Sequence, residues 1–191
     1  MTKNKKLSNL RFKARNRVKT YIPIRLFLKL AVTVIVCLAL FKSVFTYADT
    51  FKRVGKITGI NYKVLVSVAY VESGLNPYAV DVDGRAYFFR NRAKAARAIK
   101  GYVREYSSVD IGLMQVNYEI WGRYLNLSIR QLLNPKINIL IGAFILRHYI
   151  RKYGYSWKTI GRYHSAEDWS NYNYRNKVRA IYGILRENRQ H

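Results

Sequence analysis

One carboxylate of this sequence, that of Glu72, stands where a folded helix would bury it. Leu65 and Val68 recur at the i, i+3 spacing of a helix's buried face, and Glu72 follows at i+7. Gly74 and the Asn-Pro pair after it predict that the helix ends there. Burial and the negative end of the helix dipole both disfavour a charged carboxylate, so we expect a raised pKa at Glu72. Such a group can serve as a general acid near neutral pH.

Helical signals dominate the part of the chain that must position Glu72. Asn61 is expected to cap a helix running to about Ser73, and Asn134-Pro135 begins a helix that Gly154 ends. The apolar stripe of that later helix is predicted to face the core and consists of Ile137, Leu140, Ile141, Phe144 and Ile145. Further helices are expected over 93–106, after Ser156, and over 172–187, with irregular chain over 78–91. The pattern predicts an all-α fold.

Composition limits the chain to one globular core with a strongly basic surface. Its 191 residues are 50% hydrophobic and carry a formal net charge of +25. A charge of this size favours an anionic partner, whether nucleic acid, phospholipid head groups or an acidic cell-wall polymer. No recognised nucleic-acid motif is present, so a nucleic-acid partner is the least favoured of the three.

The N-terminal part carries the signals of export. The run Leu30–Phe41 is continuously apolar between Lys29 and Lys42. As a helix its twelve residues rise roughly 18 Å, which suits a signal-peptide core better than a full membrane span. With the flanking residues included, an uncleaved anchor stays open. We therefore divide the chain into a basic cytoplasmic-side segment (1–29), a signal or anchor (30–48) and an exported domain (49–191).

The single cysteine, Cys37, lies inside the apolar run. It offers neither a disulfide framework nor a cysteine metal site. Histidines are too few and too scattered for us to propose a metal.

Three further segments accompany the stretch Val71–Gly74. They are Gly112–Asn117, Leu133–Ile139 with Gly-Ala shortly after it, and Ile160–Ala166. Taken in order, the four segments resemble the lysozyme-like lytic transglycosylases that cleave peptidoglycan, over roughly Ile57–Tyr182. The resemblance implies a lysozyme-like helical domain, with peptidoglycan glycan strands as substrate and no cofactor.

The resemblance is closest to small members associated with conjugation and protein-secretion machines. These combine an Asp-Ile-Gly-Leu-Met-Gln-Val-Asn run with a Tyr-His-Ser ending, as Asp110–Asn117 and Tyr163–Ser165 do here. The wider family more often ends in Tyr-Asn-Ala-Gly, so the sequence departs from it at His164 and Ser165. The resemblance thus implies a location in the periplasm, with the inner membrane and such a machine as further partners.

In the family that this sequence resembles, one glutamate acts first as acid and then as base. It cleaves the bond between N-acetylmuramic acid and N-acetylglucosamine through an oxocarbenium-like centre and leaves a 1,6-anhydro ring. By position, Glu72 matches this catalytic residue. The matching substrate-binding residues are Ser73, Met114, Gln115, Asn117 and Tyr163.

The implied roles compete with ordinary structural ones. The hydroxyls of Ser73 and Tyr163 match groups that hold the acid and the acetamido group. Met114 and Gln115 match a cleft-wall motif, although Met114 can equally be a core residue. Asn117 can bind sugar or cap a helix.

Three other functions stay open at this point. A goose-type lysozyme activity would use the same acid with water as the acceptor. A non-catalytic scaffold would bind glycan strands and recruit secretion components. Nucleic-acid binding has only the charge and the interleaved tyrosines in its favour. Asp81, Asp83 and Asp110 could also suggest a hydrolase with two catalytic carboxylates. Their positions in turn-rich segments explain these residues equally well.

Overall fold

The computed structural model describes residues 47–187, and these are mostly helical. The predictions for 1–29, and for 30–48 up to residue 46, lie outside the described residues. Helix α1 covers 47–58. The other helices are α2 (Tyr62–Ser73), α3 (Arg92–Glu105), α4 (Ile129–Leu132), α5 (Pro135–Tyr153), α6 (Trp157–Gly161) and α7 (Asp168–Glu187), with a π-helical turn at Tyr118–Gly122. Within the described range, no helix is both long and apolar enough to cross a bilayer.

The predicted helical character is confirmed for the described residues, and the chain also forms a small antiparallel sheet that was not predicted. Its strands are β1 (Ala79–Val82), β2 (Arg85–Phe88), β3 (Val109–Ile111) and β4 (Val116–Asn117), in the order β2-β1-β3-β4. The segment 78–91, expected to be irregular, forms the β1–β2 hairpin. Strands of two to four residues are too short to display a period of two, so the sequence carried no clear strand signal.

The register of the sheet gathers polar residues. Asp81 of β1 pairs with Asp110 of β3, and Asp110 pairs with Asn117 of β4. Residues paired across neighbouring strands project from the same face of a sheet. Three polar side chains from separate parts of the sequence therefore stand in one row.

Helix boundaries agree closely with the local signals. Asn61 caps α2 by accepting a hydrogen bond from the Lys63 backbone N–H, and Gly74 ends it in the left-handed conformation with φ 61°. Asn134 caps α5, and Gly154 follows its last residue. These predicted caps are confirmed. The last helix begins at Asp168, four residues before the predicted start.

The predicted buried stripe of α5 is wrong in part. Phe144 is 48% exposed, whereas Ile139, Ala143 and Leu146 are fully buried. The buried face also includes Asn138 and Gly142, whose polar or minimal side chains gave no apolar signal. The predicted buried face is therefore rotated about the axis of α5 relative to the face that is buried in the structure.

Helix α2 lies inside the domain rather than on its surface. Leu65, Val68 and Ala69 are completely buried, as the spacing predicted for the first two. Helix α7 packs along α2, and α5 contacts it as well. This packing leaves the C-terminal end of α2, with Glu72, between α7 and the sheet.

Candidate active site

The carboxyl group of Glu72 holds a proton up to an unusually high pH. Its pKa is raised from 4.5 to about 8, first because burial removes water from the charged form. The nearby carboxylates of Asp110 and Asp81 raise the pKa further, and a hydrogen bond from Tyr174 opposes them. The raised pKa that the sequence predicted at Glu72 is thus present, and the group can donate a proton at neutral pH.

Tyr174 is the direct partner of this carboxyl group. Its hydroxyl donates a 2.6 Å hydrogen bond to Glu72 Oε1 from the facing side of α7. Tyr174 is only 5% exposed, and burial raises its pKa well above 10, so the hydroxyl stays protonated and keeps donating. The bond fixes the carboxyl orientation and favours its charged form, which a base needs after it has given up a proton.

Sequence reasoning missed Tyr174. A signal existed, because Asn171, Tyr174 and Val178 recur at i, i+3, i+7 and are the buried residues of α7. That spacing predicts an inward face for the helix. It does not reveal that the face meets Glu72, 102 residues earlier.

Glu72 lies where two adjoining cavities meet. The cavities measure about 700 and 350 Å³, and both are lined by Glu72, Asp110, Gln115 and His164. We call the first the large lobe and the second the small lobe of the cleft. α7 and the β1–β2 hairpin contribute to the large lobe, while α5 and the segment after α6 contribute to the small lobe. A cleft with an acid at its centre can hold a chain that extends to both sides.

Tyr163 comes into the small lobe beside Glu72, as predicted. Its hydroxyl donates a 2.6 Å hydrogen bond to the Met114 carbonyl. Burial raises the pKa of Tyr163 well above 10, and the Glu72 carboxylate raises it further. With its proton committed to Met114, the hydroxyl oxygen can still accept a hydrogen bond from a ligand.

Gln115 lines both lobes in a left-handed backbone conformation, with φ 43°. Its amide nitrogen donates to the carbonyls of Gly112 at 2.7 Å and Ala79 at 3.2 Å. No hydrogen bond within 47–187 ends on its amide oxygen, which leaves that atom for a ligand. The strained backbone and the two anchors hold the side chain at the centre of the cleft.

Asn117 caps the π-helical turn and orients Asp110. Its side-chain oxygen accepts from the Ile120 backbone N–H, and its amide donates to Asp110 Oδ1 at 2.8 Å. Burial raises the pKa of Asp110 from 3.8 to about 6, against the lowering effect of Asn117. Asn117 therefore acts as a helix cap, as one of its two predicted roles required. It also lines the small lobe, as does Asp110.

The side chains of Ser73 and Met114 do not line the cleft. The Ser73 hydroxyl lies 2.8 Å from the Leu113 carbonyl and 3.0 Å from that of Ala69, and the residue is 6% exposed. Met114 is 0% exposed and belongs to the core. The expected contacts of these two side chains with substrate are corrected accordingly: Ser73 ties α2 to the loop before β4, and Met114 anchors that loop.

Asn138, a buried residue of α5, fixes the same loop through hydrogen bonds from its side chain. Its amide donates to the Ile111 carbonyl at 2.7 Å and to the Leu132 carbonyl at 2.9 Å, and its oxygen accepts from the Met114 N–H at 2.7 Å. Gly112, with φ 83°, leaves no room for a Cβ, which would lie 2.6 Å from Asn138 Nδ2. Glycine at this position therefore lets the backbone approach helix α5 closely.

His164 stacks on the Tyr174 ring, with centroids 4.8 Å apart and planes 10° from parallel. Burial lowers its pKa, and Lys177 lowers it further. A neutral imidazole can cover Tyr174 on the cleft side. Within residues 47–187, no three His, Cys, Asp or Glu side chains gather as they would around a metal ion.

Comparison with known proteins agrees with this geometry. Residues 49–180 match the family described as the Transglycosylase SLT domain. The chain belongs to this SLT transglycosylase family. The match covers most of the chain and contains every residue of the cleft described above.

The sequence is also similar to curated proteins of Salmonella. It is 30% identical over 123 residues to the invasion protein IagB of Salmonella typhimurium strains SL1344 and LT2, and 29% identical to IagB of Salmonella typhi. The alignment covers 63% of this chain and 64% of each relative. This chain therefore aligns with somewhat less than two thirds of the curated relatives it matches.

Proposed function

We propose that this protein is a peptidoglycan lytic transglycosylase that cleaves the bond between N-acetylmuramic acid and N-acetylglucosamine. The observation that carries the proposal is the protonated Glu72 carboxyl, with a pKa of about 8, at the centre of a two-lobed cleft. A family in which one glutamate does both proton transfers needs a group of this kind. Fold membership alone would not be enough, since one fold hosts many functions.

In the first step, Glu72 gives its proton to the glycosidic oxygen, and the bond from that oxygen to muramyl C1 breaks. The acetamido oxygen of the sugar shares the positive charge that develops at C1. The hydrogen bond from Tyr174 stabilises the Glu72 carboxylate that this step leaves behind.

In the second step, the Glu72 carboxylate takes the proton of the muramyl C6 hydroxyl. The C6 oxygen forms a bond to C1 and closes the 1,6-anhydro ring. Glu72 ends the cycle protonated, and no water is consumed. In this proposal the Tyr163 hydroxyl oxygen, which can still accept a hydrogen bond, binds the N–H of the acetamido group in the small lobe.

A hydrolase is the second candidate, favoured by the presence of Asp110. This carboxyl group lines both lobes and, with a pKa of about 6, is mostly ionised at neutral pH. A charged carboxylate in the same cleft as a protonated one can activate a water molecule in an inverting glycosidase. The product would then be a reducing muramic acid.

Mass spectrometry of sacculi digested by the full chain separates these candidates, because anhydro products lack one water. We expect anhydro products, and we expect Glu72→Gln to abolish them. Glu105→Gln, which alters an exposed glutamate at the end of α3, serves as the matched control. If only reducing ends appeared, the transglycosylase assignment would be wrong. If Glu72→Gln released as much product as the wild type, Glu72 would have no part in the mechanism.

We further propose that the enzyme is exported to the periplasm and opens the wall for an envelope-spanning secretion or conjugation machine. The apolar run Leu30–Phe41 and the motif pair in Asp110–Asn117 and Tyr163–Ser165 support this role. So does the similarity to proteins named as invasion proteins. Fractionation of cells that express the full chain tests the location: recovery from the cytosol alone would contradict export.

A further inference from the structure

The first turns of α7 form one wall of the large lobe. The residues of this wall are Trp169, Ser170, Asn173, Tyr174 and Lys177. Their spacing of four and eight residues places them on one face of the helix. The same face therefore carries both Tyr174, the partner of Glu72, and Trp169. Trp169 lies more than one turn closer to the N-terminus of α7.

Trp169 exposes 72% of its surface at the outer end of this wall. Within 47–187 its indole pairs with no other aromatic ring, whereas Trp121 packs against two and Trp157 against one. Single exposed aromatic residues are common on protein surfaces, but this one lines the cleft that contains Glu72, where it is available to a ligand. The ring presents a flat surface on which a sugar can lie.

Asn173 stands one turn further along the same face. Its side chain is exposed and forms no hydrogen bond within the described residues. An amide can both donate to and accept from sugar hydroxyls. A pyranose has an apolar face of C–H groups and a rim of hydroxyls, so an indole beside a free amide fits both parts of it.

We propose that Trp169 and Asn173 form a glycan-binding subsite at the outer end of the large lobe, taking a sugar beyond those joined by the cleaved bond. This inference rests on the proposed function, since it takes the cleft to hold a glycan strand. Along the axis of α7, Trp169 is five residues and so about 7.5 Å from Tyr174. This offset, together with the exposure of Trp169, is why we assign the subsite to a sugar other than the two at the cleaved bond.

The position predicts a dependence on strand length. A strand long enough to cover Trp169 gains the contact, and a shorter one does not. We expect Trp169→Ala to raise the KM for long strands about three- to tenfold, while kcat stays within about twofold and the shortest cleaved strands are unaffected. Trp169→Tyr, which keeps a flat ring, restores most of the loss.

Tyr172→Ala is the matched control in the full chain. Tyr172 is 49% exposed on the same helix but does not line the cleft, so this variant should keep the wild-type KM. Thermal melts of each variant check that α7 is intact. A fall in kcat that is equal for all strand lengths, or no change in KM, would overturn the subsite.

A binding experiment separates failure of the subsite from failure of the proposed function. Each change is placed in the Glu72→Gln background, and sedimentation with sacculi measures binding without turnover. Weaker binding with Trp169→Ala than with Tyr172→Ala supports the subsite even if the wild type proves inactive as a transglycosylase. Equal binding by the two double variants overturns it even if the enzyme cleaves as proposed.

Discussion

The Tyr174 hydroxyl and Glu72 Oε1 are joined by a 2.6 Å hydrogen bond that links the C-terminal end of α2 to α7. The bond lowers the pKa of Glu72, while burial and two neighbouring carboxylates raise it. The value of about 8 is the balance between these effects. The hydrogen bond and the charge of each neighbouring carboxylate can be removed by single substitutions.

Removing the hydroxyl with Tyr174→Phe should slow the reaction and raise the pKa of Glu72. A hydrogen bond to a charged group contributes about 1.5–3 kcal/mol, so we expect kcat to fall about tenfold or more. The alkaline limb of the pH–rate profile should move to higher pH, because the carboxylate loses its donor. Rates on purified glycan strands from pH 5 to 10 measure both effects, with Tyr172→Phe as control. If the alkaline limb stayed at the same pH, the Tyr174 hydroxyl would have no effect on the pKa of Glu72.

The charge of Asp110 should be visible in the same profile. The wild-type rate is expected to fall above pH about 8, where Glu72 loses the proton that it must donate. Asp110→Asn removes a nearby negative charge, so the pKa of Glu72 and the alkaline limb should move to lower pH. Asp49→Asn, at an exposed site, leaves the limb in place. A shift to higher pH with Asp110→Asn would contradict this electrostatic account.

Glu72 should make the fold less stable as the pH rises. Its folded pKa of about 8 lies above the ordinary 4.5, so the contribution to stability is intact below 4.5 and is lost as the pH rises to about 8. The slope approaches about 1.4 kcal/mol per pH unit in that window. Urea unfolding at pH 5 and pH 8 should show Glu72→Gln gaining a few kcal/mol on the wild type. Parallel pH dependences would mean that the carboxyl is solvated.

Two helical glycines should respond in opposite ways to alanine. At Gly142 a Cβ would lie 2.5 Å from Met114 Cβ and 2.9 Å from the Tyr163 hydroxyl oxygen. Gly142→Ala should therefore cost about 1–3 kcal/mol and lower activity by displacing Tyr163. Gly101 on α3 has open space around its Cβ position, so Gly101→Ala should stabilise by up to about 1 kcal/mol at unchanged activity. Thermal melts measure the stability of each variant, and rate assays measure its activity. Unchanged stability and activity in Gly142→Ala would contradict the predicted steric clash.

The sequence was informative wherever the signal was local. Caps such as Asn61 and Asn134 act on backbone groups two or three residues away, so their positions could be read directly. The burial of Glu72 followed from its place on a helix face for the same reason. The resemblance to a known family, rather than a local rule, pointed to Gln115 and Tyr163, and the fold brings both to the cleft.

Contacts between distant segments could not be predicted in this way. The strands β1 and β3 pair although β2 and α3 lie between them in the sequence, and neither strand has a pattern of its own. Asn138 looked like an ordinary helix residue, yet it holds three backbone groups of other segments. The burial of Met114 likewise depends on α5, against which its loop is fixed.

The link between Glu72 and Tyr174 also bears on how a cell could tolerate such an enzyme while making it. The two residues are 102 positions apart, and α7 supplies one wall of the large lobe. A growing polypeptide on the ribosome has neither that wall nor the hydroxyl until almost the entire domain has emerged. We therefore expect the unfinished chain to be inert, with its activity switched on only when the last helix docks.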